Sequence, residues 1–86
     1  MTMNSLFLNI RILSPLDQIF EGEAQSCLMP TPEGIMKVLP RHMPAAGRLS
    51  AGTIHLIHDN GDQSSYDVEN GGFYRVSSDS AHIWIH

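Results

Sequence analysis

Cysteine is almost absent from this sequence of 86 residues: Cys27 stands alone, so no disulfide can form within the chain. A lone cysteine in a small domain is typical of a reducing compartment, and we expect Cys27 to be a small buried apolar residue in a strand. No apolar run approaches the roughly 18 residues that a membrane-spanning helix needs. Arg11 interrupts the apolar stretch near the N-terminus, which argues against a signal peptide. The sequence therefore predicts one soluble, intracellular domain over residues 1–86.

Acidic residues are missing from Gly34 to His58, although the whole chain has nine and a net charge of −4. The negative net charge argues against nucleic-acid binding. Three of the five Lys and Arg residues, and three of the five histidines, lie in this acid-free span. Two interpretations follow: the span forms one surface for an acidic or polar partner, or its strands scatter the charges over both faces.

Long windows without a break are also scarce, because seven glycines and five prolines punctuate the chain and leave little room for helices. In the longer windows apolar residues recur with a period of two, as in half-buried strands. The alternation is clearest in residues 6–12, 53–57 and 81–85. These patterns predict an all-β fold, an antiparallel β-sandwich or barrel of about eight to ten short strands.

Two turns are predicted between strands. Asn60-Gly61 favours a tight hairpin with positive φ at both residues, and Ser77–Ser80 joins the last two strands. Turns and bulges are the simplest positions for the other glycines. With Gly61, the glycines assigned to structural turns are Gly22, Gly52, Gly71 and Gly72. Trp84 alternates with buried-type neighbours, so it is either an exposed contact residue or covered by a second sandwich layer.

No metal-binding or catalytic pattern emerges. His82 and His86 share one face of a strand but stand about 13 Å apart at a rise of ~3.3 Å per residue, and His55 and His58 point to opposite faces. No serine lies in a nucleophile elbow, and no glycine-rich loop opens a helix. We therefore expect no catalytic residue, no metal ion and no cofactor.

The segment VLPRHMPA, Val38 to Ala45, places His42 between two prolines. Histidine is the usual group for proton transfer near neutral pH, so catalysis is one interpretation. The other, which we favour, is that Pro40 and Pro44 restrict a loop that a partner recognises by its shape.

Five short motifs follow one another in a characteristic order. They are FEG at 20–22, PTPEG at 30–34, VLPxHxP at 38–44, LxxG at 49–52 and GGFxxV at 71–76. In this order and spacing the sequence resembles the N-terminal β-sandwich domain of the epsilon subunit of F-type ATP synthase, whose mitochondrial counterpart is named delta. The resemblance covers the chain from about Leu8 to Ile85.

This resemblance implies a non-catalytic subunit of the central stalk, or rotor. Such a subunit links the gamma subunit to the membrane-embedded c-ring and thereby couples proton translocation to ATP synthesis. It touches no nucleic acid and meets the membrane only through the Fo sector, as a peripheral part of F1 on the cytoplasmic side of a bacterial inner membrane. The residues implied to face the c-ring are Thr31, Pro32, Glu33, Gly34 and Ile35, and those implied to lie near gamma are Pro40, Arg41, His42 and Met43.

The sequence also departs from the family pattern. Ile35 stands where an acidic residue is common, and Lys37, Arg41 and Met43 replace small residues, Gly, Gly and Ala. We expect the partner surfaces to have changed with them, with Lys37 or Arg41 meeting acidic or polar groups. The sequence ends at His86, before the helical hairpin of the family. If the protein ends there, we expect no inhibition of the hairpin type; if it continues, that question stays open.

Two other classes of function stay open. A free-standing β-sandwich module unrelated to the motor would bind a protein or peptide through a strand edge or an apolar cleft away from residues 30–44. A small hydrolase or lyase would place His42 beside a deep pocket and perturb its titration.

Overall fold

The computed structural model describes residues 7–41 and 43–86. Within these ranges the chain forms nine strands, in agreement with the predicted all-β fold of short strands. They are β1 Leu8–Leu13, β2 Gln18–Ala24, β3 Ser26–Thr31, β4 Gly34–Val38, β5 Ala45–Leu49, β6 Gly52–Ile57, β7 Gln63–Val68, β8 Gly72–Ser77 and β9 Ser80–Ile85. Leu6, the first residue of the predicted alternation, lies outside the described residues.

The strands form two sheets that pack as a β-sandwich. One has five strands in the order β2-β1-β9-β8-β5, and the other has four in the order β4-β3-β6-β7. The pairs are antiparallel except for β1 and β9, which run parallel with Asn9 opposite Ser80 and Leu13 opposite Trp84. The antiparallel prediction therefore misses this one pairing, because alternation assigns side chains to faces and carries no information on strand direction.

The core lies between the sheets and follows the predicted alternation. In β9, for example, Ala81, Ile83 and Ile85 are buried while the residues between them point outward. Each fully buried Leu or Ile contributes about 1.5–3 kcal/mol relative to an exposed one. Cys27 is buried too, as predicted, and desolvation by the core raises the pKa of its thiol to about 12.

The β6–β7 hairpin has a different turn from the predicted one. The N–H of His58 donates to the carbonyl of Asp62 (2.8 Å), and the N–H of Gly61 donates to the carbonyl of His58 (3.0 Å). Gly61 has φ +89°, whereas Asn60 has no positive φ. This is a three-residue loop with a glycine bulge. Asn60 accepts a hydrogen bond from the N–H of Asp62 through its side chain (2.9 Å), which favours this loop over the two-residue turn.

Gly22, expected at a turn or bulge, lies instead inside β2 opposite Ile10. A Cβ at this position would stand 3.0 Å from Cζ of Phe20, so the absence of a side chain leaves room for the Phe20 ring. The irregularity in β2 falls at Ile19, where the register with β1 shifts. Gly52 and Gly71, at the start of β6 and just before β8, have φ +154° and +80°.

His58 ties the two sheets together. Its Nδ1 lies 3.2 Å from the carbonyl oxygen of Glu23 in β2, and its Nε2 lies 2.8 Å from the hydroxyl of Ser64 in β7. Because a carbonyl can only accept, the Nδ1–H of His58 donates to it, and in the neutral form of the ring Nε2 accepts from the serine hydroxyl. His55 instead contacts the hydroxyl of Ser65 (3.2 Å), the neighbour that points to the other face. The two histidines thus serve opposite faces, as predicted.

Candidate functional site

The first predicted contact segment forms the tip of the β3–β4 hairpin. Thr31 ends β3 and Gly34 begins β4, and the Thr31 hydroxyl donates to the carbonyl of Gly34 (2.7 Å) across the intervening turn. Pro32, Glu33 and Gly34 are exposed, and Ile35 is 68% exposed although it is a large aliphatic residue. The structure therefore brings the five predicted residues of this segment to one protruding tip with an apolar side chain on it.

The base of this hairpin is held by the connection between β5 and β6. Pro30 is buried, and its carbonyl accepts a hydrogen bond from the N–H of Ser50 (3.0 Å). A Cβ at Gly52 would stand 2.9 Å from Cβ of Pro30, so a glycine allows the close approach. The tip is consequently exposed on a fixed base.

The second predicted segment is the connection between β4 and β5. Arg41 and Met43 are exposed, Met43 to 79%, and Pro40 is half-buried. The backbone N–H of Arg41 donates to the carbonyl of Ser78 in the β8–β9 turn (2.6 Å), which attaches the loop to the five-stranded sheet. His42 lies outside the described residues, so neither the catalytic nor the shape-recognition interpretation is tested by its surroundings.

Arg41 has an unusual backbone conformation. Its φ of +64° is in the left-handed region, and no other non-glycine residue among those described has a positive φ. An L-residue in this region costs about 1–2 kcal/mol because its Cβ crowds the following carbonyl. The hydrogen bond to Ser78 supports this conformation.

The two segments do not form one site. They lie at opposite ends of β4, an edge strand whose five residues span roughly 13 Å at ~3.3 Å per residue. A partner large enough to touch both segments, or two separate partners, would be needed to use them together.

The cations of the acid-free span do not form one surface either. Lys37 is exposed next to the buried Val38 in β4, so it points away from the core on the four-stranded sheet. Arg48 is exposed next to the buried Leu49 in β5 and points away on the five-stranded sheet. Of the two interpretations, scattering over both faces is the one found.

For Trp84 the sequence left two alternatives open, an exposed contact residue or a residue covered by a second layer. It is 40% exposed and lies in a cross-strand row with Leu13 and Phe73 on the outer face of the five-stranded sheet. The alternation in β9 predicted that Trp84 lies on the face of the strand away from the buried Ile83 and Ile85. It could not show whether a further layer covers that face. In the described part of the chain, none does.

Two properties of the described ranges bear on the chemistry. Residues 7–41 and 43–86 bring together no group of three or more His, Cys, Asp or Glu side chains able to hold a metal ion. The same ranges contain no helix of the length and hydropathy needed to cross a bilayer.

The fold and the exposed segments together define a class: a small two-sheet β-sandwich that presents a loop at each end of an edge strand. Within that class, the sequence matches one particular family. The family of the ATP synthase delta/epsilon chain, β-sandwich domain, matches residues 7–85, and the chain belongs to this family.

Individual relatives agree with the family. The ATP synthase epsilon chain of Campylobacter hominis is 33% identical over 81 residues, which is 94% of this chain and 61% of the relative. The epsilon chain of Chlorobium limicola is 30% identical over 70 residues, 81% of this chain and 78% of the relative. The chain thus spans about three-fifths of the length of the first relative.

A solved structure has the same fold. A chain in the cryo-EM structure of the Euglena gracilis mitochondrial ATP synthase, OSCP/F1/c-ring in rotational state 1, superposes with a TM-score of 0.89 at 20% identity. The superposition covers 98% of this chain and 53% of the Euglena chain.

Proposed function

We propose that this chain is a non-catalytic subunit of the central stalk of F1Fo ATP synthase. In this role it links the gamma subunit to the c-ring and couples proton translocation to ATP synthesis. The observation that carries the proposal is the family match over residues 7–85, supported by relatives named ATP synthase epsilon chain at 33% and 30% identity.

The tip of the β3–β4 hairpin is the proposed c-ring contact. It comprises Thr31, Pro32, Glu33, Gly34 and Ile35. The exposed Ile35 favours an apolar contact at the place where the family commonly has a carboxylate, since an aliphatic side chain gains free energy by leaving water.

The β4–β5 connection, with Pro40, Arg41, His42 and Met43, is the proposed gamma contact. Met43 supplies an adaptable apolar surface, and Arg41 supplies a positive charge for an acidic group of gamma. Proline on either side of His42 limits the conformational entropy that the loop loses on docking.

The sandwich supplies a mechanical reason to place the contacts this way. β4 is paired with β3 from Cys27 opposite Val38 to Thr31 opposite Gly34, so the two segments stay at a fixed separation. A stiff sheet between two partners transmits torque without itself binding substrate. The fold of the chain is shared with a protein from an assembly described as OSCP/F1/c-ring, which suits this arrangement.

The proposed location follows from the assembly. As part of F1, the chain would be peripheral to the membrane, on the cytoplasmic side of a bacterial inner membrane, and would need no cofactor of its own. A free-standing binding module is not favoured, because the family match extends over nearly the whole described chain.

Binding to the gamma subunit of the same organism tests the proposal. We expect one-to-one binding by the wild-type chain and weaker binding by Arg41→Glu and His42→Ala. Arg11→Glu is the matched control, because Arg11 is an exposed cation on β1, away from both segments. A folded wild-type chain that does not bind gamma would contradict the proposal. Binding that is equally strong in Arg41→Glu and His42→Ala would move the contact to another surface of the sandwich.

A further inference from the structure

A shallow polar depression lies on the outer face of the five-stranded sheet, next to the turn between β8 and β9. Its volume is about 210 Å³, and the described residues that line it are Arg75, Ser77, Ser80 and His82. The two strands contribute two of these residues each, and none belongs to the proposed gamma or c-ring contacts.

Strand register brings the four side chains together. Arg75 lies opposite His82, and Ser77 lies opposite Ser80. Residues two apart in a strand point to the same face about 7 Å apart, and opposite residues stand ~4.5–5.5 Å apart. A guanidinium, an imidazole and two hydroxyls therefore surround an area that one small ion can fill.

These side chains have no hydrogen bond or ion pair to the described part of the chain. The ring of His82 lies 6.0 Å from that of Trp84, nearly perpendicular to it. Arg11, opposite His82 on β1, behaves differently because it pairs with the Glu21 carboxylate (3.7 Å) and with Gln18 (3.5 Å). The donors of the depression are left available to a ligand.

The two strands that flank β8 and β9, which are β5 and β1, add no negative charge to this face; its acids, Glu21 and Glu23, lie one strand further away on β2. Asn9 and Arg11 of β1 lie opposite Ser80 and His82, and Ala46 of β5 lies opposite Arg75. The nearest acid along the chain is Asp79 in the turn, and its Oδ1 is buried with no hydrogen-bond partner among the described residues.

We propose that this depression binds a small tetrahedral oxyanion of the phosphate type. Arg75 can offer two parallel N–H donors to two oxygens, and the hydroxyls and the imidazole N–H can donate to the others. A planar carboxylate would use the guanidinium alone, whereas a tetrahedral anion uses donors from both strands. The site goes beyond the proposed role in the stalk and does not depend on it.

Trp84 provides the assay, because it is the single tryptophan of the chain and its ring contacts His82. Inorganic phosphate is titrated into the 86-residue chain near neutral pH at constant ionic strength, with Trp84 fluorescence as the readout. We expect a saturable change with a Kd of roughly 1 mM. Acetate should bind more weakly, and chloride should give no saturable change.

Matched variants make the test specific. Arg75→Gln should weaken phosphate binding at least about tenfold, the loss of one charge-assisted bidentate contact. Arg48→Gln removes an exposed arginine from the same sheet face outside the depression, and it should leave binding unchanged. A linear response to phosphate, or an equal loss in Arg75→Gln and Arg48→Gln, would show only general attraction to the cationic side chains and would overturn the proposal.

Discussion

The left-handed conformation of Arg41 leads to a sharp prediction about stability. At a position with φ +64°, replacing Arg41 by glycine should give a more stable chain than replacing it by alanine. Alanine keeps the Cβ that crowds the following carbonyl, whereas glycine has none. Lys37 is the control position, because it lies exposed in β4 with no positive φ.

The magnitude follows from two opposing terms. Glycine relieves about 1–2 kcal/mol of backbone crowding at position 41. Against this, the unfolded chain has more conformational entropy with glycine than with alanine, which lowers the free energy of unfolding by about 0.4–1 kcal/mol. The free energy of unfolding of Arg41→Gly should therefore exceed that of Arg41→Ala by about 1 kcal/mol. In the strand at Lys37 crowding is absent, so glycine should be about 0.5–1 kcal/mol less stable than alanine.

Four variants measure this difference: Arg41→Gly, Arg41→Ala, Lys37→Gly and Lys37→Ala. Urea unfolding gives the free energies, and a change of 1 kcal/mol corresponds to roughly 4–8 °C in Tm for a chain of this size. The sign of the glycine-minus-alanine difference should reverse between the two positions. If the glycine variant is the less stable of the two at both positions, Arg41 does not carry the strain that its φ implies.

Three further predictions concern the core and the strand contacts. Burial raises the pKa of Cys27 to about 12 in the folded chain, from 9.0. The buried neutral thiol therefore contributes its full stability below pH 9, and the free energy of unfolding falls by about 1.4 kcal/mol per pH unit as the pH rises from 9 towards 12. Urea unfolding at several pH values should show this loss in the wild type and not in Cys27→Val. Gly72→Ala should prevent correct β8–β9 pairing, because the new Cβ would overlap the carbonyl oxygen of Trp84, and the amide NMR spectrum should lose the β8–β9 contacts. His58→Ala removes the link to Glu23 in the other sheet and the contact with Ser64 in β7, and it should lower the unfolding free energy by about 1–3 kcal/mol; an unchanged urea midpoint would contradict this role.

Much of the fold could be predicted because alternation reports directly on burial. The period of two in residues 81–85 identified the buried residues of β9, which the structure confirms. The parallel pairing of β1 with β9 could not be read in the same way, because it depends on how the two ends of the chain meet in one sheet. The predicted type of turn at Asn60 was wrong because the Asn60 side chain accepts a hydrogen bond from the N–H of Asp62 and so favours the longer loop. The dipeptide Asn-Gly alone does not reveal this contact.

The candidate site was predictable only in part. The sequence indicated the segments 31–35 and 40–43, and the structure shows that their described residues are largely exposed. It did not indicate that β4 separates the segments, or that Lys37 and Arg48 point to opposite sides of the sandwich. The depression at Arg75 could not be predicted, because its residues come together through cross-strand register. In the sequence Arg75 is only a variable position of GGFxxV, and Ser77 and Ser80 indicate only a turn.

The central claim is that this chain turns with the gamma subunit as one rotor. Met43→Cys places a reactive thiol in the exposed β4–β5 connection, while Cys27 stays buried and protonated. A photoreactive label on that thiol is activated in the assembled ATP synthase of the organism, and ATP hydrolysis is measured before and after crosslinking. We predict a covalent product with gamma and an unchanged rate of hydrolysis, because two parts of one rotor do not move past each other. A product with no gamma in it, or hydrolysis that stops when the gamma product forms, would contradict the claim.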